Sequence, residues 1–429
     1  MRSRLHPQPG SPGRGRSRAV QLSRIRIEEQ RARDRAALDT RGQATVHDDV
    51  IIVGAGPAGS VAATVLARAG VRVRLIDRSA FPRDKLCGDT LNPGTLAVLR
   101  RLKLDTLTEA QGLPLDGILV THGAGVAVES RYPRQLEGRA ISRRALDWSL
   151  VKEAVAAGAA FDERTRVHDA LFTDWRGSPG ICGVRAGPPG RVSSLRAAVT
   201  IAADGRRSTL AFRFGLLGHP IRPRRWAVGA YFEGVRGNSS LGEMHIRAGR
   251  YIGIAPLADG VANVCLVKAS SAGDAELRAP AALLGRELAA DPMLRDRFVG
   301  ARMIGRPSVL GPLAVDAIAA GVVPDGLLLA GDATGFIDPM TGDGLRFAVR
   351  GGELAALAAL DALRGGWTGV HAKLAAARRK EFASKWKFNR LVRALVDSPA
   401  AVDVATGCAR LVPVFIRALV ARAGDCDRA

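Results

Sequence analysis

Between Asp49 and Asp77 the chain reads D-V-I-I-V-G-A-G-P-A-G-S-V-A-A-T-V-L-A-R-A-G-V-R-V-R-L-I-D, and this stretch constrains the fold more than any other. The apolar run Val50 to Val53 predicts a buried strand, the turn Gly54-Ala55-Gly56-Pro57-Ala58-Gly59 follows directly, and a helical pattern runs on to Gly70. A second strand, predicted over Val71 to Ile76, ends in Asp77. In that order these pieces make the dinucleotide-binding unit of an open α/β sheet. Gly54 allows the tight turn, Gly56 lets the backbone approach a pyrophosphate, and Gly59 lets the helix close on the strand. The helix N-terminus, with Ala58 in its first turn, then offers free N–H groups to the phosphates. Asp77, 18 residues beyond Gly59, stands where a carboxylate accepts hydrogen bonds from an adenosine ribose.

Four later segments narrow the cofactor. Arg78-Ser79-Ala80-Phe81-Pro82-Arg83-Asp84-Lys85-Leu86-Cys87-Gly88-Asp89 follows the second strand, and Ile141-Ser142-Arg143-Arg144-Ala145-Leu146-Asp147 precedes a helical run. Ile201-Ala202-Ala203-Asp204-Gly205-Arg206-Arg207-Ser208 ends a strand in a carboxylate beside a glycine. Last comes the stretch from Leu327 through Gly331-Asp332-Ala333-Thr334-Gly335-Phe336-Ile337-Asp338-Pro339-Met340-Thr341-Gly342-Asp343-Gly344 to Leu345. In this order they resemble the P-R-x-K-x-C-G, hydrophobic-x-R-x-x-F/L-D, A-D-G-x-x-S and G-D-A-x-G-x-x-D-P elements of the geranylgeranyl reductase family of FAD oxidoreductases. The A-D-G-x-x-S element is shared with the aromatic-ring monooxygenases. The resemblance covers roughly residues 48 to 365.

It implies a Rossmann-type FAD-binding domain whose cofactor contacts come from Gly54, Gly56, Ala58, Gly59, Asp77, Arg78, Arg83, Cys87, Gly88, Arg143, Asp204, Gly205, Asp332, Gly342, Gly344 and Leu345. In that family the aspartate of the last element meets the ribityl chain and the following helix points at the flavin. The physics agrees: a buried strand delivers Asp332 to the carboxyl edge of the sheet, and the turn Gly342-Asp343-Gly344 opens a helix whose positive end stabilises negative charge on a reduced flavin. The family's C-G pair lies close to the flavin ring, which nominates Cys87 as the one candidate catalytic side chain, against the plainer role of a small buried hydrophobe. Arg83 and Lys85 are candidates for offsetting phosphate or reduced-flavin charge, or else for solvated ion pairs. Asp204 and Asp332 have a plainer alternative as helix caps.

The motifs recur near residues 50, 85, 143, 204 and 332, so the FAD-binding domain is expected to be discontinuous, over 48–215 and 305–365. A substrate domain over 216–304 is expected between its halves. There Trp226 to Val235, Met244 to Ile254 and Gly260 to Lys268 read as strands of an antiparallel sheet, with a turn at Ala258-Asp259-Gly260, and a helix follows over Pro280 to Val299. In the resembling families such a sheet walls the substrate cavity. Residues 366–429 read as a helical tail. It is basic, with Lys373, Arg378, Arg379, Lys380, Lys385, Lys387, Arg390 and Arg393 interleaved with Phe382, Trp386 and Phe388, and it ends in the apolar stretch Leu411 to Val420. Two readings stand for it: helices packed on the FAD domain with solvated basic faces, or an amphipathic surface resting on anionic lipid.

The formal charge of +22 invites a nucleic-acid reading, yet only 8 of 63 basic residues are lysine and the arginines are spread throughout, which suits compositional bias better than a binding patch. Residues 1–47 have no core-forming apolar run and read as a disordered basic arm; a misassigned start, a solvated tail and a targeting or polyanion-binding segment are the three readings for it. The five cysteines lack metal or disulfide spacing, and neither a secretory signal nor a membrane span is apparent, so no metal and a cytoplasmic site are expected. His122, His168 and His245 read as structural or surface singletons.

The expected activity is FAD-dependent reduction of a carbon–carbon double bond in an apolar, isoprenoid-like small molecule, with NAD(P)H or another electron donor. The alternatives are hydroxylation of an aromatic or polyketide-like substrate and, outside enzymology, a basic surface adaptor with structural FAD. Tyr251-Ile252-Gly253-Ile254-Ala255-Pro256 departs from the family's Y-x-W-x-F-P by losing two large rings, which predicts a reshaped pocket. Nothing matches the W-x-W-x-I-P of flavin-dependent halogenases, so halogenation is the weaker alternative.

Overall fold

The computed structural model describes residues 47–396 and 413–429, apart from 124–125, 176–177, 189, 221–223, 272, 319–320, 337–339 and 341. The expectations for the N-terminal arm, for Asp338, Pro339 and Thr341, and for Leu411 and Val412 therefore fall outside the described residues.

Strand His47–Val53 is buried on both faces over its apolar run, Val50 to Val53. Val50 and Ile52 pack into one core with helices Pro57–Arg68 and Gly344–Gly365, while Ile51 and Val53 pack into another with Phe214 and Leu216. Its neighbours Val73–Ile76 and Ser193–Ala202 run parallel to it, and Ala160–Asp162 extends the parallel order beyond Val73–Ile76. Ser193–Ala202 is shared along its other edge: its first half pairs antiparallel with Ser178–Ala186, and its last residues, Thr200 to Ala202, pair parallel with Leu327–Leu329. That second pairing brings the carboxyl ends of three strands together, so the loops after Val53, Ala202 and Leu329 meet at one edge. This is the α/β, Rossmann-type arrangement expected.

A second seven-stranded sheet runs in the order Arg302–Leu310, Arg225–Glu233, Val261–Ala269, Arg250–Pro256, Leu241–Arg247, Gly117–His122, Val126–Arg131. It differs from the expectation in two ways. The stretch Met244 to Ile254 is two strands, not one, because Ala248 and Gly249 turn the chain and Gly249 has φ +72°. The sheet also recruits Gly117–His122 and Val126–Arg131 from far upstream of 216, and Gly117–His122 pairs parallel with Leu241–Arg247, so the sheet is mixed. The turn at Ala258-Asp259-Gly260 forms as expected, with positive φ at Asp259 and Gly260 and Leu257 N–H donating to the Val261 carbonyl. Helix Pro280–Ala290 covers the far face through Leu283, Leu284 and Leu288; it stops nine residues short of the expected end, at Asp291. His245 is buried on that face between Thr121 and Glu243, each 2.8 Å away, a structural role.

Helix Val370–Val396 packs on Gly344–Gly365, and Pro413–Ala423 lies against strand Val126–Arg131 of the second sheet. Not every basic residue of the tail is solvated. Arg378 donates to the Leu329 carbonyl, with burial lowering its pKa to about 10, and Lys385 is buried against Asp343.

Candidate active site

The site is a cavity of about 790 Å³ that opens where the sheet's carboxyl edge meets the second sheet. Its cofactor end is lined by Gly56, Ala58, Cys87, Gly88, Arg143, Gly205, Asp332, Gly342, Gly344 and Leu345, all expected from the sequence. Gly54, Gly59, Asp77, Arg78, Arg83 and Asp204 do not line it.

The three glycines divide the work that their spacing suggested. Gly54 has φ +101°, and a Cβ there would lie 2.6 Å from the Ala203 carbonyl oxygen, so the turn also presses against the neighbouring strand. A Cβ on Gly59 would lie 1.8 Å from the Gly54 oxygen, which makes it a helix-on-strand contact. A Cβ on Gly56 would meet nothing nearer than Arg83 Nη2 at 3.6 Å. That open space is the cradle a pyrophosphate needs, and the residues present fit FAD. Ala58 adds a close helix contact: a Cβ on Gly352 would fall 2.2 Å from the Ala58 oxygen.

Asp77 acts on the turn itself. One carboxylate oxygen accepts from Ala55 N–H at 2.9 Å and the other from Ser79 N–H at 2.8 Å. Asp204, by contrast, accepts from Thr209 N–H at 2.8 Å, and burial pushes its pKa up. It does not line the cavity, and the side-chain cap of the helix that follows is Ser208 rather than Asp204. Arg78 is exposed.

Asp332 lies in the turn Gly331–Thr334 just after strand Leu327–Leu329, lines the cavity and has two cations beside it, Lys85 and Arg206. Burial, and after it the Arg143 charge, pushes Lys85 below the ordinary lysine range against the pull of Asp332. Burial also lowers Arg206 to about 10, and its Nε is buried with no hydrogen-bond partner among the described residues. A buried, unpaired donor beside an acid is costly unless a ligand completes it. Arg206 was legible only as the residue after Asp204-Gly205.

Arg143 stands at the first turn of helix Arg143–Ala156 and is clamped by Asp147 one turn later, with Nε and Nη2 each 2.8 Å from a carboxylate oxygen. Arg83 Nη1 reaches the same carboxylate at 3.2 Å, while its Nη2 lies beside the Gly56 cradle. Arg143 also interacts with the Cys87 side chain.

The segment from Lys85 to Asp89 is stapled to the second sheet at three points. Leu86 fills the notch at Gly229, where a Cβ would lie 2.0 Å from its Cδ1. Asn263 Nδ2 donates to the Cys87 carbonyl at 2.8 Å, and Tyr231 Oη donates to Asp89 at 2.8 Å. Tyr231 and Asn263 are directly opposed cross-strand partners. Asp89 also accepts from Arg143 N–H at 3.2 Å, and burial raises its pKa to about 6. Tyr231 and Asn263 carry no sequence signal, since single polar residues in strands are common.

Beyond the cofactor end the cavity is apolar. Ile118, Val120, Met244, Ile246, Val267 and Leu310 from the second sheet face it, with Phe336 and Met340 opposite. Phe388, Leu391 and Val392 of one tail helix and Leu419 and Val420 of the other line it too, with the exposed Leu391 at its opening to solvent. No helix among the described residues is long and apolar enough to cross a membrane.

The FAD binding domain family matches residues 47–222. A menaquinone reductase of Mycolicibacterium smegmatis is 31% identical over 328 residues, 72% of this chain and 75% of the relative. A digeranylgeranylglycerophospholipid reductase of Methanothrix thermoacetophila is 29% identical over 339 residues, 77% and 82% of the two chains. Among solved structures, a flavin-dependent brominase superposes with a TM-score of 0.76 at 20% identity, covering 89% of this chain and 94% of its own, a likeness of fold.

Proposed function

Because the chain belongs to the geranylgeranyl reductase-like family of FAD-dependent oxidoreductases, we propose that it reduces a carbon–carbon double bond in an apolar, isoprenoid-like substrate, with NAD(P)H or another donor as the source of electrons. The observation that carries this reading is the apolar chamber continuous with the cofactor end of the cavity. The relatives named as reductases of menaquinone and of digeranylgeranylglycerophospholipid support the same substrate class.

Bound FAD, once reduced, supplies hydride chemistry, while the protein supplies orientation, charge and exclusion of water. Asp332 would hold the ribityl chain, and the Gly56 cradle and Arg143 would hold the rest of the cofactor in place. Saturating a double bond also takes a proton. The Cys87 thiol lines the cavity beside Arg143 and is this chain's candidate to deliver it. Lys85 and Arg206 offset negative charge at the same end. At the mouth, Leu391 is 67% exposed on a helix that also presents Lys387 and Arg390, a combination suited to taking a lipid-soluble substrate from an anionic surface.

The test is turnover of polyprenyl quinones and polyprenyl lipids without dioxygen, with dithionite as reductant and mass spectrometry of the product. The expected result is gain of two hydrogens per double bond, slowed in Cys87→Ala with FAD affinity unchanged. Product that forms only with dioxygen, in step with its consumption, overturns the reductive reading in favour of hydroxylation.

A further inference from the structure

Two helices aim their N-termini at the cofactor end of the cavity, and neither has a side-chain cap. For Pro57–Arg68 the reason is plain, since the N-cap residue is Gly56. For Gly344–Gly365 the N-cap residue is Asp343, whose backbone is already helical (φ −80°, ψ −5°), and its carboxylate makes no cap hydrogen bond. Three other helices of this half carry side-chain caps, whereas Thr106–Gln111, which starts at Asp105, does not. Asn92 accepts from Thr95 N–H at 2.9 Å, Ser142 from Ala145 N–H at 3.3 Å and Ser208 from Ala211 N–H at 3.2 Å.

The Asp343 carboxylate is held elsewhere. Lys385 Nζ lies 3.0 Å from its Oδ1, and Asn92 Nδ2 donates to the same oxygen at 3.0 Å. The side chains of Lys385 and Asp343 are 5% and 0% exposed. Lys385 is itself fixed by the end of helix Pro413–Ala423, donating to the Ala423 carbonyl at 2.8 Å and to that of Arg422. The same corner is tied by Gly94 N–H to the Gly424 carbonyl and by Arg346 to Asp425, each 3.0 Å.

We propose that Lys385 is a positioning residue for the flavin: its buried charge neutralises the Asp343 carboxylate at the start of helix Gly344–Gly365, so that the positive end of the helix acts on the cofactor undiminished. A carboxylate left without that partner would place a negative charge against a reduced flavin ring. The C-terminal helices thereby act on the cofactor from behind the cavity wall. The inference rests on the FAD site and is independent of which substrate is reduced.

The experiment compares full-length wild type, Lys385→Met and the double variant Asp343→Ala/Lys385→Met by FAD titration, by the flavin reduction potential and by apo-protein melting. Lys385→Met is expected to weaken FAD binding by about tenfold or more and to make the potential more negative. In the double variant no unpaired buried charge remains, so affinity and potential return to within about threefold and close to the wild-type value. If Lys385→Met lowers only apo stability and leaves affinity and potential unchanged, the residue is structural and the proposal fails. Should that variant not fold, the double variant decides alone: wild-type-like affinity and potential support the proposal, and loss of either in a folded protein overturns it.

Discussion

Arg143 and Asp147 form a buried ion pair across one helical turn, and Arg83 joins the same carboxylate from outside, so a single aspartate sets the position of two arginines at the cofactor site. Removing one partner of a buried pair leaves the other charge uncompensated. Asp147→Ala is therefore expected to lower apo stability by about 3–5 kcal/mol and to weaken FAD as well, because Arg143 loses its orientation. Denaturant unfolding with and without FAD checks both effects; a variant with wild-type stability and affinity would contradict the clamp.

Gly56 and Gly59 have opposite expected phenotypes. Gly56→Val should abolish FAD loading while leaving the apo-protein folded, because among the described residues a Cβ there meets only Arg83 Nη2, at an ordinary contact distance of 3.6 Å. Gly59→Ala should destabilise the apo-protein itself, since its Cβ would lie 1.8 Å from the Gly54 oxygen. Apo melting temperature and flavin absorbance after reconstitution separate the two.

Asp332 should matter only when the cofactor is bound. Loss of a hydrogen bond to a charged group costs roughly 1.5–3 kcal/mol, or about one to two decades in affinity, for Asp332→Ala. Apo stability should change far less, because a ligand stabilises only the state that binds it. Equal loss of apo and holo stability with affinity intact would make Asp332 a structural residue.

Asp89 provides a pH signature. Burial raises its folded-state pKa to about 6 from the ordinary 3.8. A raised pKa favours the protonated form in the folded state, so its contribution is fully present below about pH 4 and is lost as pH rises through about 6, a change on the order of 3 kcal/mol. Asp89→Asn cannot titrate. The stability difference between the variant and the wild type should shift in the variant's favour between pH 4 and 7; a difference independent of pH across that window would show that Asp89 does not titrate there.

What the sequence determined by itself was the local chemistry. Val50 to Val53, the glycine spacing after it and the terminal Asp77 specify strand, turn and helix through short-range sterics, and these formed where expected. Ten of the residues nominated for the cofactor do line the cavity: eight lie by a strand end or helix start that local sequence dictates, while Cys87 and Gly88 lie on the segment that the second sheet holds. Tertiary structure alone decided the rest. Strands Gly117–His122 and Val126–Arg131 have no local mark of the sheet they join, since pairing with Leu241–Arg247 is settled by edge hydrogen bonds across more than a hundred residues. Asp204 and Asp332 look alike in sequence, each an acid after a buried strand, yet one meets the Thr209 amide and the other faces the cavity. Lys385 reads as one more surface charge in a basic helix; only the packing of three distant segments buries it against Asp343. Periodicity and motif report on neighbours within a few residues, whereas the burial and partner of a charge depend on which surfaces close over it.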